Sequence, residues 1–252
     1  MHIQRGAWAE INLDAVAHNV QMAKANLKPT TKLCAVVKAD AYGHGAVRVA
    51  QEAARNGADF FAVALLQEGV KLREAGIETP ILVLGSMLPE VAEICVRYDI
   101  SHAVFDEERL YALNAAALKL HTKAKIHIKI DTGMHRIGVH VRDAGRFAKL
   151  AASLPGIYIE GVFSHFATAD ADDKQYAAYQ FERFQEALRL IEAEGVHIPI
   201  RHIANSAALT ELQEYQLDMV RQGITLYGLH PAHMIDCYKD FEPVMTVKTQ
   251  VA

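Results

Sequence analysis

The residues best suited to chemistry in this 252-residue chain stand where apolar runs stop. The stretch "AVVKADAYGHG" (residues 35–45) carries an apolar run into Lys38, with Tyr42 following and Gly43 and Gly45 closing what reads as a tight turn. An amine at the mouth of a buried strand either snorkels to water or stands where an aldehyde can reach it. The ends of the other apolar runs supply Leu84, then Lys129 with Asp131 and Arg136, then His165, then Asn205 with Ser206, and last Arg221 with Gly223. In "IANSAAL" Asn205 and Ser206 fall where a strand passes into a helix, so that a hydroxyl and free backbone amides can face a phosphate. In "VRQGITLYG" Gly223 permits close backbone approach, which makes a second candidate anion site.

The elements that must position these groups follow from periodicity. Short aliphatic runs alternate with longer amphipathic segments, the pattern of a parallel sheet. The predicted strands are 33–38, 60–65, 80–85, 101–105, 125–130, 158–165, 199–204 and 217–223. Helical patterns cover 46–56, 66–75, 89–98, 107–120, 142–153 and 175–194, with Gly57, Gly76 and Gly195 at the expected place just past a helix end. Eight βα units in this length predict an α/β fold, a (β/α)8 TIM barrel. A doubly wound open sheet is the competing architecture, and the strand count and the lack of a dinucleotide fingerprint speak against it. In such barrels the working groups lie at the carboxyl ends of strands, and phosphates frequently bind after strands seven and eight. Barrel, phosphate loops and lysine together suggest pyridoxal 5′-phosphate.

"WAEINL" ahead of the barrel reads as a strand and "DAVAHNVQMAKANL" as a helix capped by Asp14. From about Pro231 the alternation stops. The predicted division is a cofactor-binding barrel domain over 1–230, followed over 231–252 by a linker and the first strand of a β domain that the chain lacks.

A net charge of -4, evenly spread, gives no reason to expect nucleic acid, a membrane surface or a polyanion as partner. Cys34, Cys95 and Cys237 show no paired spacing, which argues against disulfides or a zinc site and for a reducing compartment. The amino terminus does not read as a secretion signal and no apolar run approaches spanning length, so the expectation is a cytoplasmic protein. His121, His127, His135 and His140 fit no helix-face metal-ligand spacing. Phe181, Phe184 and Leu188 sit at helical spacing and read as core.

The motifs "AVVKADAYGHG", "KIDTGMHRIG", "SHFATAD", "HIANSAA" and "MVRQGITLYGL" resemble, in order and spacing, those of the pyridoxal-phosphate-dependent alanine racemases, over nearly the whole chain. The resemblance implies a barrel followed by a β domain, in a homodimer with active sites shared between subunits, interconverting L- and D-alanine for the bacterial cell wall. It implies that Lys38 forms the Schiff base with the cofactor and is one of two proton-transferring bases. The phosphate would rest on Tyr42, Ser206 and the amides around Gly223 and Ile224, with Leu84 and Asn205 also in the cofactor-binding set. Arg221 would face the pyridine nitrogen, braced by His165. Arg136 would approach the cofactor's phenolic oxygen or the substrate carboxylate. Lys129 matches a position that can carry a carbamate, which would hold Arg136. The second base would be a tyrosine of the β domain, so a chain without that domain is expected to be feeble or inactive. The readings beside it are a single-domain carrier of pyridoxal phosphate on the same barrel, a racemase or decarboxylase acting on serine or a basic amino acid, and an aldolase using Lys38 on a sugar phosphate.

Overall fold

The computed structural model describes residues 6–231 and 238–250, so that Cys237 and part of the predicted linker lie outside the described residues. In chain order the strands are β1 (Ala7–Ile11), β2 (Lys32–Val36), β3 (Phe60–Val63), β4 (Ile81–Val83), β5 (Ser101–Val104), β6 (Ala124–Asp131), β7 (Val139–His140), β8 (Ile157–Phe163), β9 (Ile200–His202), β10 (Met219–Gln222) and β11 (Met245–Thr249). The wall runs β10-β2-β3-β4-β5-β6-β8-β9, with every pair parallel. Backbone bonds from Asp218 N to Arg201 O (3.0 Å) and from Arg221 N to Ala204 O (3.1 Å) tie the ends of that row and nearly close it. Helices between successive strands cover the outside, because a parallel sheet has two apolar faces to bury. The chain is thus a (β/α)8 barrel, as its alternation predicts.

All eight predicted wall strands are present, most of them ending sooner than the apolar pattern does. β2 stops at Val36, so Lys38 lies beyond the strand in the following turn and does not end the strand itself. The helix at Leu13–Ala25 is capped by Asn12, whose side chain accepts from Asp14 N and Ala15 N; Asp14, the expected cap, stands inside the first turn. Carboxylate and amide oxygens cap about equally well, so the sequence pattern alone favours neither neighbour. Phe184 is fully buried, with Phe181 and Leu188 packed beside it.

The core has two shells. The outer one joins strands to helices and takes Ile126, Ile128 and Ile130 from β6. The inner one, inside the barrel, contains Cys34, Val36, Phe60, Ala62, Leu82, Ile200 and Met219. Lys125, His127 and Lys129 alternate with the β6 isoleucines and therefore point to the opposite face, into the barrel.

β1 and β11 form a separate antiparallel ribbon, with Ala7 opposite Thr249 and Ile11 opposite Met245. The buried Asn19 links the first helix to the returning chain: its amide donates to Leu226 O (3.1 Å) and Glu242 O (2.8 Å), and its Oδ1 accepts from Glu242 N (2.8 Å). Replacing Asn19 by Ala orphans these backbone groups, each costing about 1–3 kcal/mol when left buried. Urea unfolding of Asn19→Ala should therefore show a loss of at least about 3 kcal/mol, with the denaturant slope unchanged.

Candidate active site

The carboxyl ends of the wall strands enclose a cavity of about 340 Å³. Lys38, Tyr42, Leu84, Lys129, Arg136, His165, Asn205, Ser206, Arg221, Gly223 and Ile224 all line it. Residues from six separate sequence segments thus meet in one place, which is what the strand-end rule for barrels requires.

The turn after β2 takes a form that its glycines do not announce. Ala39, Asp40, Ala41 and Tyr42 all have φ between 52° and 57°, making one left-handed turn of non-glycine residues. Each such residue costs about 1–2 kcal/mol, so other contacts must hold the conformation. Glu68 accepts from Ala39 N at 2.6 Å with one oxygen and from Ala64 N at 2.7 Å with the other. Asp40 Oδ1 accepts from Ala46 N (3.0 Å) and pairs with Lys71 (3.2 Å). The bond from Ala46 N holds the Asp40 carboxyl below its ordinary range, with Lys71 adding to it. The turn sets Lys38 Nζ 5.7 Å from the Tyr42 ring centroid, both at the cavity.

Tyr42 also helps to form an anion cradle. Gly223 N donates to Ser206 Oγ at 2.8 Å. A Cβ on Gly223 would lie 3.7 Å from Ser206 Oγ and 3.9 Å from the Tyr42 hydroxyl, so the bare backbone there leaves space between two hydroxyls. Asn205, not Ser206, caps the short helix Ser206–Glu211, accepting from Ala208 N. That leaves the Ser206 hydroxyl free for the loop after β10.

Arg221 on β10 is buried, at 3% exposure, with no carboxylate paired to it among the described residues. Its Nη1 donates to His202 Nδ1 (2.7 Å), and its Nη2 bonds Ser164 O (2.8 Å), His165 Nδ1 (3.0 Å) and Ile203 O (3.0 Å). Guanidinium has no acceptor, so both histidines accept at Nδ1 and carry their proton on Nε2. Burial, then the charge of Arg221, holds His165 and His202 well below the ordinary imidazole value. Burial lowers Arg221 itself to about 10, which leaves it charged at neutral pH. The Phe163 ring stacks on His202 (4.9 Å, 8°) and lies 5.5 Å from the guanidinium carbon.

His165 does brace Arg221, and His202, which sequence reasoning missed, holds it from the other nitrogen. The signal existed. Ile200 and His202 alternate on a strand whose Ile200 belongs to the inner core, so His202 must also face inward.

Lys129 Nζ donates to Ile130 O (2.7 Å) and lies 5.5 Å from the Phe163 ring. It makes no bond to Arg136, which is exposed and without a hydrogen-bonded partner among the described residues. As a free amine Lys129 therefore does not hold Arg136 in place. Burial first, then Arg221 and Arg136, push Lys129 down to about 7. Of the histidines that cluster in the sequence, His127 lies in the barrel interior bonded to other side chains, while His135 pairs with Asp131 at the surface.

A lysine whose folded value is about 7 against 10.5 when unfolded binds fewer protons folded than unfolded between those limits. Its burial penalty is full below pH 7 and fades as pH rises, so this group makes stability increase with pH across that window. Lys129→Met should flatten the increase, by at most about 1.4 kcal/mol per pH unit, when urea unfolding is compared at pH 7 and pH 9.

Comparison with known proteins agrees with this geometry. Residues 11–231 match the family model "Alanine racemase, N-terminal domain". The alanine racemase of Desulfovibrio desulfuricans is 46% identical over 248 residues, covering 98% of this chain and 67% of that protein. The alanine racemase of Halothermothrix orenii is 45% identical over 249 residues, covering 99% and 66%. Among solved structures, the alanine racemase of Clostridium difficile 630 in complex with cycloserine superposes with a TM-score of 0.95 at 38% identity, covering 98% of this chain and 68% of that one. That of Bacillus anthracis with bound L-Ala-P gives 0.91 at 36% identity, covering 98% and 64%. The chain thus spans about two thirds of the length of these relatives, and on sequence and fold alike it belongs to the alanine racemase family, matching its N-terminal domain.

Proposed function

We propose that this chain is the cofactor-binding barrel of a pyridoxal-phosphate-dependent alanine racemase. The observation that carries the reading is the convergence, in one cavity, of the Lys38 amine, the cradle of Tyr42, Ser206 and Gly223, and the buried Arg221. These residues fit pyridoxal 5′-phosphate. The cradle suits a phosphate, the cavity's cations suit an anionic ligand, and Lys38 supplies the amine an aldehyde needs. When bound, the cofactor would withdraw electrons from a substrate amino acid and so acidify its α-proton.

Lys38 would hold the cofactor and move a proton at Nζ on one face of the substrate. Tyr42, Ser206, Asn205 and the backbone around Gly223 and Ile224 would hold its phosphate. Leu84 would pack against it, and Arg136, unpaired among the described residues, would meet the substrate carboxylate or the phenolic oxygen. Arg221 can donate to a ring nitrogen but cannot accept from it, and its charge disfavours a proton there. A less electron-poor ring suits racemisation over transamination. Lys129, with its lowered basicity, suits the carbamate the resemblance suggests, since only the neutral amine adds carbon dioxide.

Racemisation needs a second base on the opposite face. By resemblance this is a tyrosine of a further domain, shared across a homodimer, so these 252 residues alone would turn alanine over feebly or not at all. The β1–β11 ribbon, a sheet separate from the barrel, supports a second unit after residue 230, and it draws the amino-terminal strand β1 into that unit as well. Bacterial D-alanine supply in the cytoplasm is the corresponding cellular role, and among the described residues no helix is long and apolar enough to cross a membrane.

Addition of pyridoxal 5′-phosphate to the purified chain should produce a shifted absorbance band that borohydride fixes to Lys38 on peptide mapping. Lys38→Ala should lack it; a band of equal strength in that variant would overturn the assignment. In a form of the protein that turns alanine over, Arg221→Glu should raise the fraction of turnovers diverted to pyruvate. An unchanged partition, read by pyruvate formation against D-alanine formation, would reject the role given to Arg221.

A further inference from the structure

The bonds that hold Arg221 continue beyond the cavity. His202 Nε2 lies 2.8 Å from His127 Nδ1, His127 Nε2 lies 3.0 Å from Glu160 Oε2, and Ser101 Oγ donates to the same carboxylate oxygen. His127 and His202 are both 0% exposed. The row crosses the barrel interior through β10, β9, β6 and β8 in turn.

The direction of every proton in it is forced. Arg221 can only donate, so His202 Nδ1 accepts and the His202 proton sits on Nε2. That proton is donated to His127 Nδ1, which must then be bare, so the His127 proton sits on Nε2 and is donated to Glu160. A proton on His127 Nδ1 would require His202 to lose both of its own. Both rings are therefore neutral, and the charges of the row stand at its ends, Arg221 positive and Glu160 negative.

Three local features build the row. The β6–β8 register runs Ile126 opposite Ile159 and then His127 opposite Gly161, so Glu160 is an inserted, bulged residue; bulges re-aim side chains. A Cβ at Gly161 would come within 2.5 Å of His127 Nδ1, so only glycine admits the ring there. Phe163, two residues on, stacks on His202. Burial pushes the Glu160 carboxyl up, but the bonds from His127 and Ser101, with the charge of Lys125, together outweigh it and keep the carboxyl below its ordinary range.

We propose that Glu160, through His127, is a positioning residue for Arg221: it is the remote counter-charge that anchors the far end of the relay and, through it, the orientation of the guanidinium. Its consequence for ligand binding rests on the role given to Arg221 above, whereas the relay itself does not.

The test has two parts. In 15N-histidine spectra of the unmodified chain at neutral pH, His127 and His202 should both appear as neutral rings protonated at Nε2; Nδ1 protonation of either overturns the relay, whether or not any cofactor binds. Glu160→Gln keeps an acceptor but removes the charge. It should weaken pyridoxal 5′-phosphate about tenfold, the low end for losing a supporting partner, while leaving inorganic phosphate, which needs only the Tyr42, Ser206 and Gly223 cradle, unaffected. Equal loss for both ligands, or for neither, overturns the positioning role. If the unmodified chain binds no pyridoxal phosphate, the cofactor reading fails and the spectra still decide the relay. They decide it equally if Glu160→Gln does not fold.

Discussion

A permanently charged guanidinium is buried at the centre of this barrel, and much of the surrounding arrangement answers to it. An unpaired buried charge is costly unless its donors are satisfied. Arg221 meets two backbone carbonyls and two imidazoles, all neutral, on Nη1 and Nη2. Those acceptors come from β9 and the chain segments just beyond β8 and β9, so the position of one side chain depends on the relative placement of three strands. The two histidines in turn are kept neutral by their burial and then by the cation they serve. Inside the barrel this divides the contents: Cys34, Val36, Phe60, Ala62 and Leu82 fill the side of β2, β3 and β4, while the polar row occupies the side of β6, β8 and β9.

The same burial gives the cavity its chemical character. Burial first, and then the charge of Arg221, raise the cost of charging Lys129. Arg136 and Lys38 add cationic groups at the mouth, against Asp170 as the acidic lining residue. An anionic ligand relieves this repulsion, and the bare backbone at Gly223 between two hydroxyls offers a place for its most charged part. Affinity for a phosphate-bearing molecule therefore follows from the cavity's own imbalance as much as from any single contact.

Lys38 depends on a different constraint. Four consecutive left-handed residues without glycine are unfavourable in isolation, and the Glu68 carboxylate offsets this by binding the amides of Ala39, Ala64 and Leu65 together. The turn before the helix Ala46–Arg55 is thereby anchored to the end of β3. A strained segment over-determined by its surroundings is a common way for a fold to fix a working group.

Much of this was legible in the residues. Apolar runs alternating with amphipathic ones predict eight wall strands and their helices, and the residues just past those runs are the ones that line the cavity. The strict alternation in "KIHIKI" assigns Lys129 and His127 to the interior, because a parallel barrel buries both faces of each strand. What periodicity could not supply was register and conformation. Glu160 joins the interior only through a bulge that exists between two strands and not in either alone. Nothing in "KADAY" marks a left-handed turn, since glutamate 68 enforces it from another helix. The cap at Asn12 and the grip of His202 on Arg221 were likewise settled by packing. The sequence by itself determined which residues could do chemistry and on which elements they ride; only the tertiary structure decided which side chains meet, because those contacts join residues far apart in the chain through a barrel closure that no local pattern encodes.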